Sequence, residues 1–261
     1  MPVQKERYLI NSVLRAAKIL ESFSLKKDSF TNAELSKALG LNKSSVTRLL
    51  YSLEEAGFLR RDNTTGRYKL TYKLFRIGNV YIQHASLYKE AMPVLSQLVE
   101  ATRETAQLNV LEKNEVAIID RIETPESIGL MGLAGVNLPA YCSATGKVLL
   151  AHLPDNELDE YFSNVQLKSY TPNTITDRKL ILKELKLIKQ QGYAICNAEL
   201  EKQVVGIASP LRNKSGKVIA SISIAGPDFR IGKKRVQKHM IKLVTEAAGS
   251  ISQRLGYLGP S

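Results

Sequence analysis

Apolar positions along the first 90 residues recur with helical spacing. Leu9/Ile10, Val13/Leu14, Ala17, Leu20 and Phe23 lie three or four residues apart, which predicts an amphipathic helix over about residues 9–23, broken by Asp28 and Ser29. Thr31-Asn32-Ala33-Glu34 has the form of a capping box, a hydroxyl for an early helix N–H and a carboxylate that reaches back. It predicts a short helix that Gly40 ends. After Gly40-Leu41-Asn42, Asn42 can cap a third helix over residues 43–56, which Gly57 closes. The pattern is helix, tight turn, helix.

The period then shortens. Phe58-Leu59-Arg60-Arg61 and Arg67-Tyr68-Lys69-Leu70 read as two short strands around the turn-forming run Asp62-Asn63-Thr64-Thr65-Gly66. Helical spacing returns over residues 72–88, and Pro93 suits an early position of the helix that follows. Farther on, strands over 106–111 and 116–122 flank Glu112-Lys113-Asn114-Glu115, and strands over 204–211 and 218–224 flank Asn213-Lys214-Ser215-Gly216. Helices are expected over 145–152, 156–162, 177–191 and 233–255. The fold class is α+β. Residues 1–70 form one expected domain, 71–89 a linker helix and 90–261 a second domain.

Charge changes this picture. The 261 residues are 44% hydrophobic, which excludes disorder as the main state, and carry a net +12, which brings a polyanionic partner into consideration. Residues 1–79 hold 15 Lys and Arg against 7 Asp and Glu, so most of the excess lies at the N-terminus. A solvated basic surface with no partner has the same composition. No apolar run approaches the roughly 18 residues of a membrane span, and the start leads into no signal-peptide core, so a cytoplasmic protein with no membrane partner is expected. Two cysteines, Cys142 and Cys196, make no disulfide framework and no C-x-x-C pair.

On the third helix, Val46, Leu49, Leu50 and Leu53 share one face, and Lys43, Ser44, Thr47, Arg48 and Tyr51 share the other. Lys43 and Arg48 can meet phosphates or guanine edges, while Ser44 and Thr47 are small enough for close approach to the major groove. Arg60, Arg61 and Arg67 with the Thr64-Thr65-Gly66 tip add a basic hairpin beside it, suited to neighbouring phosphate or the minor groove. Thr31 and Ser45 complete the candidate DNA contacts. A charged helix face that meets only water has the same spacing; the ordered run of capping box, turn, apolar stripe and basic hairpin favours DNA.

With these residues in view, the sequence resembles the isocitrate lyase regulator (IclR) family of bacterial transcription factors over nearly its whole length. The N-terminal part carries Leu41-Asn42-Lys43-Ser44-Ser45-Val46-Thr47-Arg48-Leu49-Leu50 and Leu53-Glu54-Glu55-Ala56-Gly57-Phe58-Leu59, similar to that family's winged helix-turn-helix. More specific are Leu138-Pro139-Ala140-Tyr141-Cys142-Ser143-Ala144-Thr145-Gly146-Lys147, then Gly192-Tyr193-Ala194, Glu199-Leu200-Glu201, and Ser221-Ile222-Ser223-Ile224-Ala225-Gly226-Pro227, similar to its GAF-like effector-binding domain. The resemblance implies a homodimer or dimer of dimers on an approximately palindromic double-stranded operator. It also implies a small-molecule effector, often an organic acid, that changes binding to the operator or contact with RNA polymerase. The family's pocket falls here on Leu130, Met131, Leu133, Leu138, Ala144, Thr145, Cys196, Val204, Gly206, Ser223 and Ala225, with Ser221 beside them.

Independently of that resemblance, Ser143 precedes a helix whose first N–H groups can receive a carboxylate, although Ser143 as a plain N-cap and Gly146 as a packing position fit equally. Where relatives that bind very small acids have an acidic residue, this chain has Cys196; where they carry Cys it has Gly206, and a second Ser is replaced by Ala225. A larger, more apolar cavity for an aromatic or longer-chain carboxylate is expected.

Other chemistries lack their residues. Gly146-Lys147 is no phosphate loop, because Tyr141 stands where Gly is needed and Val148 where Ser or Thr is needed. Gly129, Gly132 and Gly135 have the wrong spacing for a dinucleotide site, and His84, His152 and His239 are scattered, so neither cofactor nor metal is expected. The alternatives are a cysteine-dependent redox sensor or enzyme using Cys142 or Cys196, and a DNA-binding protein without a ligand.

Overall fold

A computed structural model describes residues 9–24, 27–84, 86–129 and 137–259. The chain divides into two compact units, Met1–Ala85 and Ser86–Ser261.

The first unit contains helix α1 (Asn11–Glu21), strand β1 (Ser29–Phe30), α2 (Asn32–Leu39), α3 (Lys43–Glu55), β2 (Leu59–Arg61), β3 (Tyr68–Leu70) and α4 (Tyr72–His84). The capping box forms as expected: the Thr31 hydroxyl accepts the Glu34 N–H at 3.3 Å, and the Thr31 N–H donates to the Glu34 carboxylate at 2.8 Å. Gly40 ends α2 at φ +64°, where a side chain would be strained, and Asn42 caps α3 by accepting the Ser45 N–H at 2.8 Å. Ile19, Leu35, Val46 and Leu50 meet in one core with Phe30, Leu59 and Tyr68 of an antiparallel sheet ordered β1-β3-β2. The first helix starts two residues later than its apolar spacing suggests, because Leu9 and Ile10 are exposed and Ile10 offers no side-chain cap.

The second unit runs α5 (Ser86–Thr102), β4 (Thr105–Glu112), β5 (Glu115–Ile122), β6 (Asn137–Pro139), a 3-10 turn (Ala140–Cys142), α6 (Ala144–Leu150), α7 (Asp155–Asn164), α8 (Arg178–Gln191), β7 (Ala194–Asn197), β8 (Val204–Arg212), β9 (Val218–Pro227), α9 (Asp228–Ile231) and α10 (Lys234–Arg254). Its antiparallel sheet has the order β6-β5-β4-β9-β8-β7. Leu108, Ile207, Ile222 and Ile224 share a core with α5 and α10. The alternating positions Gln107, Asn109, Ser221, Ser223 and Gly206 present a small and polar face on the side of α6. Gly146 lets α6 lie close to the 3-10 turn, since a Cβ there would come within 2.2 Å of the Ala140 carbonyl oxygen.

Three departures from the sequence reading have physical causes. Pro93 sits inside α5, not near its start; Ala91, Val94, Leu95, Leu98 and Val99 are buried around it, and that packing outweighs the lost backbone bond. The helical spacing read over residues 72–88 belongs to α4 and to the beginning of α5. Strands β1, β6 and β7 and helix α9 span two to four residues each, too few for a period to show. Among the described residues, no helix is long and apolar enough to cross a membrane.

Candidate nucleic-acid interface and ligand cavity

Helix α3 buries Val46, Leu50 and Leu53 and exposes Lys43, Ser44, Thr47, Arg48 and Tyr51 on its other side. Thr47 is held in place, donating to the Lys43 carbonyl at 2.8 Å and accepting from Asn32 Nδ2 at 2.7 Å, so α2 fixes the angle at which α3 is presented. Ser45 and Arg48 share a groove with Arg15 of α1, a cation the sequence reading missed because it lies on a helix assigned only to packing. In the hairpin, Arg60 and Arg61 are exposed, with the Arg61 guanidinium 5.9 Å from the Tyr68 ring centroid. Asp62 orders the tip by accepting the Thr64 and Thr65 N–H groups at 2.9 and 3.0 Å.

Two expected contacts are engaged internally. Arg67 donates to the Ser29 hydroxyl at 3.0 Å, the Ser29 carbonyl at 2.9 Å and the Glu34 carboxylate at 3.0 Å, so it clips the hairpin to β1 and α2 and does not extend outward. Thr31 is occupied by its capping bonds. The Thr31 N–H first, then Lys27, hold the Glu34 carboxyl down at about 2, so this clip stays charged through the neutral range.

In the second unit, a cavity of about 200 Å³ opens between α6, the polar sheet face and residues 200–204. It gathers Leu138, Ser143, Ala144, Thr145, Cys196, Val204, Gly206, Ser223 and Ala225 from the sequence-derived set. Leu130, Met131 and Leu133 lie outside the described residues. Ser221 does not line the cavity: it pairs with Asn109 across β4 and β9, two residues along from Ser223, and is fully buried. The Ser143 hydroxyl accepts the Gly146 N–H at 3.2 Å and donates to the Pro139 carbonyl at 3.0 Å, so its direct role is that of an N-cap. Gln107, Ile118, Arg121, Leu200 and Glu201 also line the cavity. Alternation along β4 and β5 reveals two faces but not which one borders a cavity, so the sequence had no signal for the first three. The Arg121 side chain is only 5% exposed, placing a guanidinium in the wall, 3.7 Å from Glu123.

Beneath the cavity, Lys147 is fully buried and its ammonium meets Glu184 at 2.8 Å and Glu199 at 2.5 Å. Burial alone would strip its proton, but the Glu199 and Glu184 carboxylates more than offset this and keep it charged. Cys196 Sγ donates to the Cys142 carbonyl at 3.1 Å, and burial pushes both thiols up to about 12. A thiol so poised is protonated at neutral pH and is a poor nucleophile.

The profile described as "Bacterial transcriptional regulator IclR C-terminal" matches residues 79–253, and "IclR helix-turn-helix domain" matches residues 12–63. The chain is 33% identical over 246 residues to the HTH-type transcriptional regulator KipR of Bacillus subtilis (strain 168), covering 94% of this chain and 97% of that one. An IclR transcriptional regulator from Alicyclobacillus acidocaldarius superposes with a TM-score of 0.85 at 28% identity, covering 95% of this chain and all of the other. An IclR homolog from Microbacterium hydrocarbonoxydans, solved in complex with 4-hydroxybenzoate, gives 0.81 at 26% identity over 94% of this chain and 98% of that one. The exposed cationic helix, the hairpin beside it and the separate cavity-bearing sheet agree with these matches: the chain belongs to the IclR family of bacterial transcriptional regulators.

Proposed function

We propose that this regulator binds an approximately palindromic operator as a homodimer, and that a compact carboxylate with an apolar body, held in the cavity of the second unit, changes its operator affinity. Lys43, Ser44, Thr47, Arg48 and Tyr51 enter the major groove, and Arg60, Arg61 and the Thr64-Thr65 tip meet adjacent phosphates. Arg67 and Thr31 position this surface. Two such heads meet half-sites about 34–36 Å apart, one turn of the duplex.

The observation that carries the effector reading is the cavity's composition. Ile118, Leu138, Ala144, Leu200 and Val204 supply apolar walls, and the buried Arg121 supplies positive charge in a low-dielectric setting, where a carboxylate is the complementary group. At about 200 Å³ the space falls below the range of about 300–1,000 Å³ typical of drug-sized ligands, so the effector is small. The 4-hydroxybenzoate bound by the Microbacterium homolog has this character. A dimer is supported by Val13 and Leu14 on α1 and Phe75 and Ile77 on α4, large apolar side chains exposed in the isolated chain that a second copy would cover.

A thermal-shift screen of the full chain tests the effector class, because a ligand of the native state raises the midpoint. Benzoate, 4-hydroxybenzoate, phenylacetate and hexanoate are expected to raise it more than glyoxylate and pyruvate. Tight binding of glyoxylate or pyruvate, with only millimolar binding of the larger acids, would overturn the reading.

A further inference from the structure

The cavity wall leads into a group of buried polar side chains that the fold leaves incompletely bonded. Thr145, on α6, is 4% exposed, lines the cavity, and its hydroxyl has no hydrogen-bond partner among the described residues. Ser223, also a lining residue, receives the Asn109 amide at 3.4 Å. Asn109 is fully buried; its Nδ2 also reaches the Gln107 and Ser221 carbonyls at 3.3 and 3.5 Å, while its Oδ1 has no partner among the described residues. The Ser221 hydroxyl, paired with Asn109 across the sheet and fully buried, has none either.

Leaving such groups unbonded costs about 1–3 kcal/mol each, and apolar residues of the same shape would avoid that cost. Their arrangement has a chemical sense. Asn109 Oδ1 only accepts hydrogen bonds, whereas the Thr145 and Ser221 hydroxyls both donate and accept. A carbonyl oxygen could satisfy the hydroxyls but not Asn109; a hydroxyl satisfies both, donating to Asn109 Oδ1 and accepting from Thr145 or Ser221. Asn109 lies two residues along β4 from Gln107, which pairs with Arg121, a displacement of about 7 Å at strand rise.

We propose that Thr145, Asn109 and Ser221 form a polar subsite for a hydroxyl group of the effector, placed at the opposite end of the molecule from its carboxylate. The effector is thereby a hydroxycarboxylate with an apolar spacer. This inference rests on the effector reading above, with Arg121 at the carboxylate end.

Calorimetric titration of the full chain with benzoate, 4-hydroxybenzoate and phenol tests it, together with Thr145→Val and Ser221→Ala. The subsite predicts that 4-hydroxybenzoate binds at least tenfold more tightly than benzoate, and that this ratio falls below twofold in each variant. It also predicts that both variants, without ligand, melt at or above the wild-type temperature, since each removes a hydroxyl that the folded chain does not bond. A wild-type ratio near one, or a ratio that survives both substitutions because the subsite holds only water, overturns the proposal. So does a loss of several degrees in the unliganded variants. Binding of phenol that Ser221→Ala weakens, with neither acid bound, would retain the subsite and reject the carboxylate reading; binding of none of the three would reject the subsite.

Discussion

Arg48, Arg61 and Arg67 carry the same charge within 20 positions of one another, and the structure gives each a different task. Arg48 projects from the exposed face of α3, Arg61 from the hairpin, and Arg67 is bonded to Ser29 and Glu34. Arg48→Ala is expected to weaken operator binding by about 1–3 kcal/mol and to relax sequence preference, while Arg61→Ala weakens all duplexes alike and lowers the salt slope by about one. Arg67→Ala should leave the salt slope nearly unchanged and lower the melting temperature. Binding isotherms across salt concentrations, on specific and scrambled duplexes, separate these outcomes. The charge of Arg67 was legible in the sequence, but its engagement was not: Ser29 and Glu34 lie more than 30 residues away, and only the fold brings them into reach.

The cysteines make a second case at this scale. Burial holds both thiols near 12, so the native chain at pH 8 is expected to react with a disulfide reagent only slowly, and fully once urea unfolds it. Rapid stoichiometric reaction of the native protein would reopen the thiol chemistry that the sequence left as an alternative.

Among the elements, those governed by local rules were legible and those governed by distant packing were not. The capping box at Thr31 and the Asn42 cap announce α2 and α3 because every participant lies within four residues. Strand β7 carries Cys196 to the cavity but is only four residues long, and it exists because Ala194–Asn197 pairs with β8. Helix α6 combines both situations: Ser143 marks its start, yet its buried Lys147 is explicable only through Glu184 and Glu199. Lys147→Met leaves Glu199 buried without its cation and is expected to cost about 3–5 kcal/mol in urea unfolding. Adding Glu199→Leu should recover much of that loss, because the orphaned charge is removed with its partner. Failure of the second substitution to recover stability would mean that Lys147 acts mainly through packing.

At the scale of the whole molecule, two compact units with different charge and different cores were anticipated from the periodicity break and the basic excess before residue 80. The cavity's outline was legible only through the family's motifs, and its Arg121 wall and polar floor come from strands whose cavity side the sequence does not mark. Exposed Val13 and Phe75 lead to a further prediction: Val13→Glu with Phe75→Glu should shift the chain toward monomer in light scattering and weaken binding to paired half-sites far more than to a single one.

The central claim is that cavity and DNA-binding surface are coupled, and a coupling must appear in both directions. The most direct test is fluorescence anisotropy of the full chain on an operator selected from random-sequence duplexes, titrated with and without a saturating carboxylate identified by thermal shift. The account predicts a change in operator affinity of about 5–150-fold, with an equal change in carboxylate affinity when operator is present. Saturable carboxylate binding that leaves operator affinity unchanged would contradict it.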